Sequence, residues 1–292
     1  MKPFAYAAVQ SVDEATALLG AHPGALMLAG GTDLIVQLRA GRKTADLVVD
    51  IKRIPELNEI RYDPAQGLTL GAAVPCYRIC ADRAVSNAYP ALADVAALIG
   101  GTQIQGRASI GGNLCNAAPS ADAIPILIAL RGTCRIAGAG GAREIAVEDF
   151  CSGPGRNTLR PGELLVSLNL PPTEPQSGAR YLRFIPRNEM DIAVAGVGAA
   201  VGLENGSFRW ARIALSSVAP TPLFVREAGE WLASKPVNAE SIQAAAEIAK
   251  AAAKPITDMR GTADFRKHLC AVLTRRALET AVRNAREASK NA

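Results

Sequence analysis

The sequence predicts an α+β fold in three parts, and three observations support this prediction. Near the N-terminus, short apolar segments flank one helical pattern, and in the middle region apolar segments end at glycine or proline turns. In the last third, three runs of strand-like residues precede two long helical patterns. A length of 292 residues is enough for one large domain or for two to three smaller ones.

The first part, residues 1–53, is predicted to be a small strand–helix–strand unit. The segment "SVDEATALLGAH" predicts a helix, because Ser11 and Glu14 have the spacing of a capping box. The segment "ALMLAGGTDLIVQLRAG" predicts a buried strand, a glycine turn and a short helix that Gly41 ends. The apolar segment "ADLVVDIKRI" is the next predicted strand.

The second part, residues 54–172, is predicted to mix strands and helices. Helices are predicted for "YPALADVAALIG" and for the buried segment "ADAIPILIAL". Strands are predicted for "GLTLGAAV", which leads into a helix near Pro75, and for "GELLVSLNLPP", which two prolines end. The segment "TCRIAGAGGAREIAVEDF" predicts a hairpin with the turn "GAGGA".

The third part, residues 176–288, is predicted to be a separate α+β domain. Proline and polar residues without periodicity accumulate in "PPTEPQSG", residues 171–178, which is the best candidate for a linker. The three strands of an antiparallel sheet are predicted for "ARYLRFI", "IAVAGVGAAVGLEN" and "FRWARIALSSVA". Two helices, "NAESIQAAAEIAKAAA" and "TADFRKHLCAVLTRRALETAVRNAREA", follow them.

Composition argues against several classes of function. The net charge of +5 is mild, and only 4% of residues are aromatic, so we expect no nucleic-acid site. The longest apolar segments are far shorter than the roughly 20 residues that span a bilayer, so we expect no membrane span. The first residues lack the apolar core of a signal peptide, and a cytoplasmic location is the expectation.

The chain is poor in groups that catalyse reactions by themselves. Its six cysteines include no CxxC pair and its two histidines are far apart, so we predict no metal site and buried, reduced thiols. No residue is assigned as a catalytic acid, base or nucleophile.

Two glycine turns, Gly30–Gly31 and Gly111–Gly112, follow or precede buried apolar segments. Without Cβ atoms, the backbone N–H groups of such turns can approach a phosphate closely. Thr32 adds a hydroxyl to the first turn, and Ser109 and Asn113 flank the second. Neither turn has the GxGxxG or GxxxxGK[ST] pattern. Each turn taken alone is therefore either a phosphate site or only structural.

The two turns together resemble a known family. "LAGGTDLIVQLRAG", followed by "GTQIQGRASIGGNLCNAAPSADAIPIL", resembles the FAD-binding medium subunit of the molybdenum hydroxylases, the xanthine dehydrogenase and carbon monoxide dehydrogenase family. Further resemblance lies in "SVDEATALL", "VDIKRIPELNEI" and "RYLRFIPRNEMDIAVAGVGAAV", so it covers nearly the whole chain. It implies a PCMH-type FAD-binding fold, shared with vanillyl-alcohol oxidase, of two subdomains (1–53 and 54–172), with the C-terminal sheet and helices beyond.

The resemblance also implies which residues bind FAD. Residues 28–35 would surround the pyrophosphate, and residues 109–113 would hold its other side and the ribityl chain. The backbone of Leu165, otherwise an ordinary strand residue, would contact the flavin ring. The cofactor-binding residues implied in this way are Leu28, Ala29, Gly30, Gly31, Thr32, Asp33, Leu34, Ile35, Ile99, Thr102, Ser109, Ile110, Gly111, Gly112, Asn113, Asp122, Leu165 and Arg183.

Several of these positions have a second interpretation or depart from the family. Asp122 matches a carboxylate on the adenosine side of FAD, but it could equally cap the helix "AIPILIAL", and Asp33 could cap the helix after the first turn. Ile99 replaces an aromatic residue that packs on the flavin in some members. Arg183 replaces a common lysine; it would either raise the flavin potential through its charge or be an exposed strand residue.

Two further segments bear on the site. Residues 185–192 resemble a loop beside the flavin, where the electron acceptor docks in some relatives, but Arg187, Glu189 and Asp191 receive no definite role. One type of relative carries a 4Fe-4S cluster in a cysteine-bearing insertion that would begin at Cys115. Because "NLCNAAPSAD" has no added length and no further cysteine, we expect no iron–sulfur cluster on this chain.

The resemblance implies an electron-transfer subunit. A large subunit with a molybdopterin cofactor would hydroxylate the substrate, and a small subunit with two 2Fe-2S clusters would pass electrons to FAD on this chain. An external acceptor such as NAD, a quinone or oxygen would then be reduced, within a dimer of heterotrimers. Two alternatives remain open: a free-standing FAD oxidoreductase of the same fold, and a nucleotide-binding protein without a redox role.

Overall fold

The structure is a computed structural model that describes residues 1–188 and 190–288. The strands are β1 (Ala5–Ala8), β2 (Ala25–Leu28), β3 (Leu47–Asp50), β4 (Ile60–Asp63), β5 (Gly67–Gly71), β6 (Thr133–Gly138), β7 (Gly141–Ala146), β8 (Cys151–Gly153), β9 (Arg156–Asn157), β10 (Leu164–Leu170), β11 (Ser177–Phe184), β12 (Ala195–Glu204), β13 (Ser207–Ser216) and β14 (Leu223–Phe224).

The α-helices are α1 (Val12–Ala21), α2 (Leu34–Arg39), α3 (Cys76–Ala81), α4 (Arg83–Ala88), α5 (Pro90–Leu98), α6 (Thr102–Gln105), α7 (Ile110–Asn116), α8 (Ala123–Ala129), α9 (Arg226–Leu232), α10 (Ala239–Ala252) and α11 (Ala263–Ala288). Two short 3-10 helices occupy Pro55–Asn58 and Val147–Asp149. Among the helices in the described part of the chain, none combines the length and the apolar character that crossing a membrane requires.

The first sheet is parallel, with the strand order β1-β3-β2. Helix α1 connects β1 to β2. The predicted capping box at the start of α1 is confirmed. The Ser11 hydroxyl accepts a hydrogen bond from the Glu14 N–H at 3.1 Å, and the Glu14 carboxylate accepts one from the Gln10 N–H at 2.9 Å. The turn after β2 and the helix α2 follow as the sequence predicts.

The second sheet is antiparallel, with the strand order β4-β5-β10-β6-β7. The predicted hairpin is confirmed, since β6 and β7 pair from Thr133–Ala146 to Gly138–Gly141 around a two-residue turn. The edge strand β4 was not predicted, because its four residues, "IRYD", are too short and too polar for a strand pattern. A separate two-stranded sheet joins β8 to β9.

The third sheet is antiparallel, with the strand order β11-β12-β13-β14. Its first three strands match the prediction, and the two-residue strand β14 was not predicted. One face packs on α10 and α11 through a buried cluster that includes Val197, Ile213 and Leu215. The other face, which carries Tyr181, Ala200 and Ala214, belongs to the core of the second part of the chain.

Helix α8 lies between the second and third sheets. All seven of its residues are buried. The backbone of α8 lies directly on β12, because a Cβ atom on Gly198 would be only 2.5 Å from both the carbonyl carbon and the oxygen of Pro125. Only a residue without a side chain permits this approach. The prediction of a buried helix at "ADAIPILIAL" is therefore confirmed.

Ion pairs surround the apolar contact at α8. Arg212 on β13 donates to Glu148 at 2.9 Å and to the carbonyl of Ile128, at the end of α8, at 3.0 Å. Glu174, in the segment between β10 and β11, accepts hydrogen bonds from Arg131 at 2.7 Å and from the indole of Trp210 at 2.8 Å. These contacts hold the third sheet against the rest of the chain.

We predict that Gly198→Ala destabilises the protein by about 1–3 kcal/mol, because the added methyl group forces α8 and β12 apart. Urea unfolding followed by circular dichroism measures the change. Gly140→Ala is the matched control, since a Cβ atom there meets no neighbouring atom within 4 Å. Equal stability of the two variants would show that α8 and β12 can separate without cost.

Candidate functional site

A cavity of about 450 Å³ lies where the first sheet meets α7 and β10. Two thirds of the residues that the resemblance implies as FAD contacts line it, and they come from both glycine turns and from the segments beyond. These residues are Ala29, Gly30, Gly31, Thr32, Asp33, Leu34, Ile99, Ser109, Gly111, Gly112, Asn113 and Leu165.

The first glycine turn follows β2 and leads into α2. Gly31 has a φ of +77°, a left-handed conformation that favours glycine. The backbone N–H groups of residues 30–33 donate no hydrogen bond to any other described residue. Four successive donors without an acceptor form an environment that suits an anion.

The second glycine turn is the first turn of α7. The Ser109 hydroxyl caps this helix by accepting a hydrogen bond from the Gly112 N–H at 3.0 Å. Gly111 packs against the end of β5, since a Cβ atom on it would lie 2.6 Å from the Cα atom of Ala72. Within the described chain, the N–H groups of Ile110 and Gly111 have no acceptor.

The first turn touches the segment that leads into the second turn. A Cβ atom on Gly30 would lie 2.6 Å from the carbonyl carbon of Arg107, so the first turn needs glycine here. The Arg107 side chain donates from Nε to the carbonyl oxygen of Gly30 at 3.3 Å. The free N–H groups of both turns therefore border the same cavity.

Asn113 lines this cavity beside the second glycine turn. Its side-chain oxygen accepts a hydrogen bond from the Ala123 N–H, at the start of α8, at 3.4 Å. Because the oxygen is engaged, the amide NH₂ group is the free polar group of this side chain. Asn113 adds a side-chain donor to the backbone donors of both turns.

A third wall of the cavity, residues 157–163, was not predicted. Glu163 accepts two hydrogen bonds from the Arg143 guanidinium, at 2.9 and 2.8 Å, and one from the Arg160 N–H at 2.7 Å. These donors lower the pKa of Glu163 to about 2. In the sequence, Pro161–Gly162 indicates a turn, but no local pattern indicates that this turn borders a cavity.

The charged groups of the cavity are few and of both signs. Lys43 and Arg160 are exposed cations, and Asp33 is a carboxylate near Lys43. Burial raises the pKa of Asp33, and the charge of Lys43 lowers it less. Asp33 stands at the cap position of α2, but its carboxylate makes no capping hydrogen bond, so its interpretation as a cap is wrong.

One end of the cavity is apolar. Ile99 and Leu165 line it together with Ala72 and Ala108, and all four residues are buried. Aliphatic side chains thus supply the packing surface there, as the sequence predicts for position 99. The cavity combines a stretch of N–H donors with an apolar end.

Six implied site residues do not line the cavity. Leu28 packs in a small cluster with Leu38 and Val48, Ile35 lies against Gly31, and Ile110 belongs to the core. The other three are Thr102, the first residue of α6, and the pair Asp122 and Arg183.

Asp122 and Arg183 form a largely buried ion pair. Arg183 donates to Asp122 at 2.6 Å, and the hydroxyl of the buried Tyr181 donates to the other carboxylate oxygen at 2.7 Å. Asp122 makes no capping hydrogen bond to α8, so its alternative interpretation as a helix cap is wrong. The Arg183 side chain is only 8% exposed, so its alternative interpretation as an exposed strand residue is also wrong. Burial raises the pKa of Asp122, while Arg183 and Tyr181 act in the opposite direction.

Met190, in the segment of residues 185–192, lies close to the apolar end. The Met190 sulfur is 3.4 Å from the position that a Cβ atom on Gly101 would occupy, two residues beyond Ile99. Arg187 donates to the carbonyl of Met190 at 2.9 Å. Glu189 lies outside the described residues.

A second, larger groove of about 640 Å³ lies on the outer face of the second sheet. Charged and polar side chains such as Arg61, Arg135 and Glu144 line much of it. It contains none of the site residues that the resemblance implies, and it lacks the apolar end of the first cavity. The smaller cavity is therefore the candidate site.

Comparison with known proteins covers both halves of the chain. The family model for the FAD binding domain in molybdopterin dehydrogenase matches residues 2–173, and the model for the CO dehydrogenase flavoprotein C-terminal domain matches residues 180–281. The chain is 31% identical over 278 residues to the xanthine dehydrogenase FAD-binding subunit of Escherichia coli O157:H7, with 95% of each chain covered. It is 32% identical over 279 residues to the carbon monoxide dehydrogenase medium chain of Hydrogenophaga pseudoflava. The aligned region covers 95% of this chain and 96% of that one.

Solved structures are also similar. Carbon monoxide dehydrogenase from Hydrogenophaga pseudoflava superimposes with a TM-score of 0.93 at 32% identity, over 97% of this chain and 99% of that chain. Quinoline 2-oxidoreductase from Pseudomonas putida 86 superimposes with a TM-score of 0.90 at 28% identity, over 99% of this chain and 100% of that chain. The similarity therefore extends over all three sheets.

We predict that the Glu163–Arg143 pair stabilises the folded protein in a pH-dependent way. Because the pKa of Glu163 in the folded protein, about 2, lies below its ordinary value of 4.5, the contribution is fully present above pH 4.5 and is lost as the pH falls toward 2. Urea unfolding should show wild type more stable than Glu163→Gln by a constant amount at neutral pH, with the difference shrinking in acid. The exposed Glu204→Gln is the control. A difference that does not change in acid would contradict the assignment.

Proposed function

Because the chain belongs to the FAD-binding medium subunits of the molybdenum hydroxylase family, which includes the xanthine and carbon monoxide dehydrogenases, we propose that it is the electron-transfer subunit of such a complex. In this role it takes electrons from the 2Fe-2S clusters of a small subunit and passes them to an external acceptor. The observation that carries the proposal is that two glycine turns, with several N–H groups that find no acceptor among the described residues, line one cavity.

The residues of the cavity fit FAD. A pyrophosphate needs many hydrogen-bond donors, and the N–H groups of residues 30–33, the N–H of Gly111 and the amide of Asn113 supply them. The cations among the residues that line the cavity, Lys43 and Arg160, are both exposed, so backbone donors would be the main means of holding the phosphates. Ile99 and Leu165 offer an apolar surface of the kind that a flavin ring needs.

When bound, FAD supplies redox chemistry in which electrons received singly can leave singly or in pairs. The residues of the chain bind and orient the cofactor, and the buried Ile99, Ala72 and Leu165 exclude water from one end of the site. No histidine or paired carboxylates lie in the described apolar end, which agrees with a role in electron transfer rather than acid–base catalysis.

Asp122 and Arg183 remain proposed neighbours of the cofactor, on its adenosine side and near its ring. Their mutual pairing at 2.6 Å balances the charge of Arg183. We therefore expect Arg183 to raise the flavin potential only slightly while Asp122 is ionised. Their ion pair also joins the third sheet to Asp122, the residue before α8. The N–H of the next residue, Ala123, donates to Asn113.

The partners in this proposal are a molybdopterin-binding large subunit and a 2Fe-2S small subunit, assembled as a dimer of heterotrimers in the cytoplasm. The support is that relatives matched over their whole length carry the name medium chain, which implies further chains in the same enzyme. The domain division into 1–53, 54–172 and 176–288 belongs to the same proposal, and each range contains one of the three main sheets.

We predict that Gly31→Val and Gly111→Val each abolish FAD binding while the C-terminal domain stays folded. At Gly31 the cause is the positive φ, and at Gly111 it is the missing space beside Ala72. The visible absorption spectrum of the purified protein measures bound flavin. Gly140→Val, away from the cavity, should retain it. A colourless wild-type protein that takes up no added FAD would refute the proposal.

We predict that the tagged chain, produced together with its native neighbours, co-purifies with two further subunits. The complex should contain molybdenum, four iron atoms and one FAD for each copy of this chain, as two 2Fe-2S clusters per small subunit require. Metal analysis and the flavin spectrum measure these ratios. A chain that purifies alone and oxidises a small substrate without iron or molybdenum would instead be a free-standing FAD oxidoreductase.

A further inference from the structure

A hydrogen bond connects the two helices that flank the glycine turns. Gln37, on the α2 helix after the first turn, donates from Nε2 to the side-chain oxygen of Asn116, the last residue of α7, at 3.0 Å. The two residues are 79 positions apart in the sequence, and both line the cavity. Neither residue is among the contacts that the family resemblance implies.

The backbone around this bond is well defined. The Gln37 N–H donates to the carbonyl of Asp33, which places Gln37 one helical turn after the first glycine turn. Asn116 is followed by Ala117, which has a φ of +48° and ends α7. Gln37 thus lies within α2 and Asn116 lies at the end of α7, so both side chains start from helical backbone.

A second side-chain hydrogen bond joins the same two regions of the chain. It runs from Arg107, just before the second turn, to the carbonyl of Gly30 in the first turn. The bond between Gln37 and Asn116 lies one helix length away along the wall of the cavity. Two links at separate points fix both the spacing and the relative tilt of the walls, which one link alone leaves free.

We propose that Gln37 and Asn116 are positioning residues that hold the two walls at the spacing a bound dinucleotide requires. The inference rests on the proposed binding of FAD. Because Gln37 and Asn116 are half-buried residues that line the cavity and lie outside the apolar core, the loss of their bond should weaken ligand binding more than it destabilises the fold. The measurable consequence is a faster release of FAD.

The experiment measures the rate at which FAD leaves the protein, from the activity gained by an excess of the apoprotein of an unrelated FAD-dependent oxidase, which captures the released cofactor. The variants are Gln37→Met and Asn116→Leu, singly and together. Gln243→Met is the matched control, since Gln243 donates a similar amide hydrogen bond to Glu247 at 2.9 Å on the surface of α10. Thermal unfolding of each apoprotein is recorded in parallel.

We expect each single variant to release FAD several-fold faster, as the loss of one hydrogen bond of ordinary strength implies. The double variant should be no faster than the singles, because both remove the same bond. A Gln37→Lys, Asn116→Asp double variant should restore slow release through an ion pair. The control should match wild type, and the apoprotein midpoints should stay close together.

Three results would overturn the inference. Additive effects of the two single substitutions would mean that each side chain contacts FAD independently. Unchanged release rates in a protein that binds FAD would remove the positioning role and leave the proposed function intact. A wild-type protein that binds no FAD would instead refute the proposed function, and this inference with it.

Discussion

The architecture depends on one close contact, the approach of the α8 backbone to Gly198 on β12. This contact lets a fully apolar helix serve two sheets at once, with the second sheet on one side and the third on the other. The burial of α8 is also what fixes its first turn, where Ala123 contacts Asn113 in the wall of the cavity. A packing requirement between α8 and β12 thereby bears on Asn113, one of the donors of the proposed phosphate site.

The cavity itself is built mainly from backbone. Glycine is needed at residues 30 and 111 because a Cβ atom there would clash with backbone atoms. It is needed at residue 31 because a residue with a side chain would be strained at the positive φ. The donors that result belong to the main chain and carry no titratable charge, so the phosphate contacts that we propose would not themselves titrate. The charged groups nearby, such as Glu163, act on the wall that surrounds the ligand.

The sequence was sufficient to predict the α+β class, the two glycine turns and most long elements. Hydrophobic periodicity and the glycine and proline residues that mark turns are local signals. It could not reveal β4 or β14, which are strands only through pairing with their neighbours. It also could not place Asp122, since the choice between a helix cap and an ion pair depends on Tyr181 and Arg183, about sixty residues away. The hydrogen bond between Gln37 and Asn116 could not be predicted either, because the two residues are 79 positions apart in the sequence.

The segment between β10 and β11 has a consequence for electron flow. A proline-rich connection would ordinarily act as a hinge, but Glu174 at its centre is tied to Arg131, Arg209 and Trp210 at once. These contacts oppose a swinging motion of the C-terminal domain. In the electron-transfer subunit that we propose, the distance between the bound flavin and its electron donor would then be set by how the subunits dock and not by domain motion.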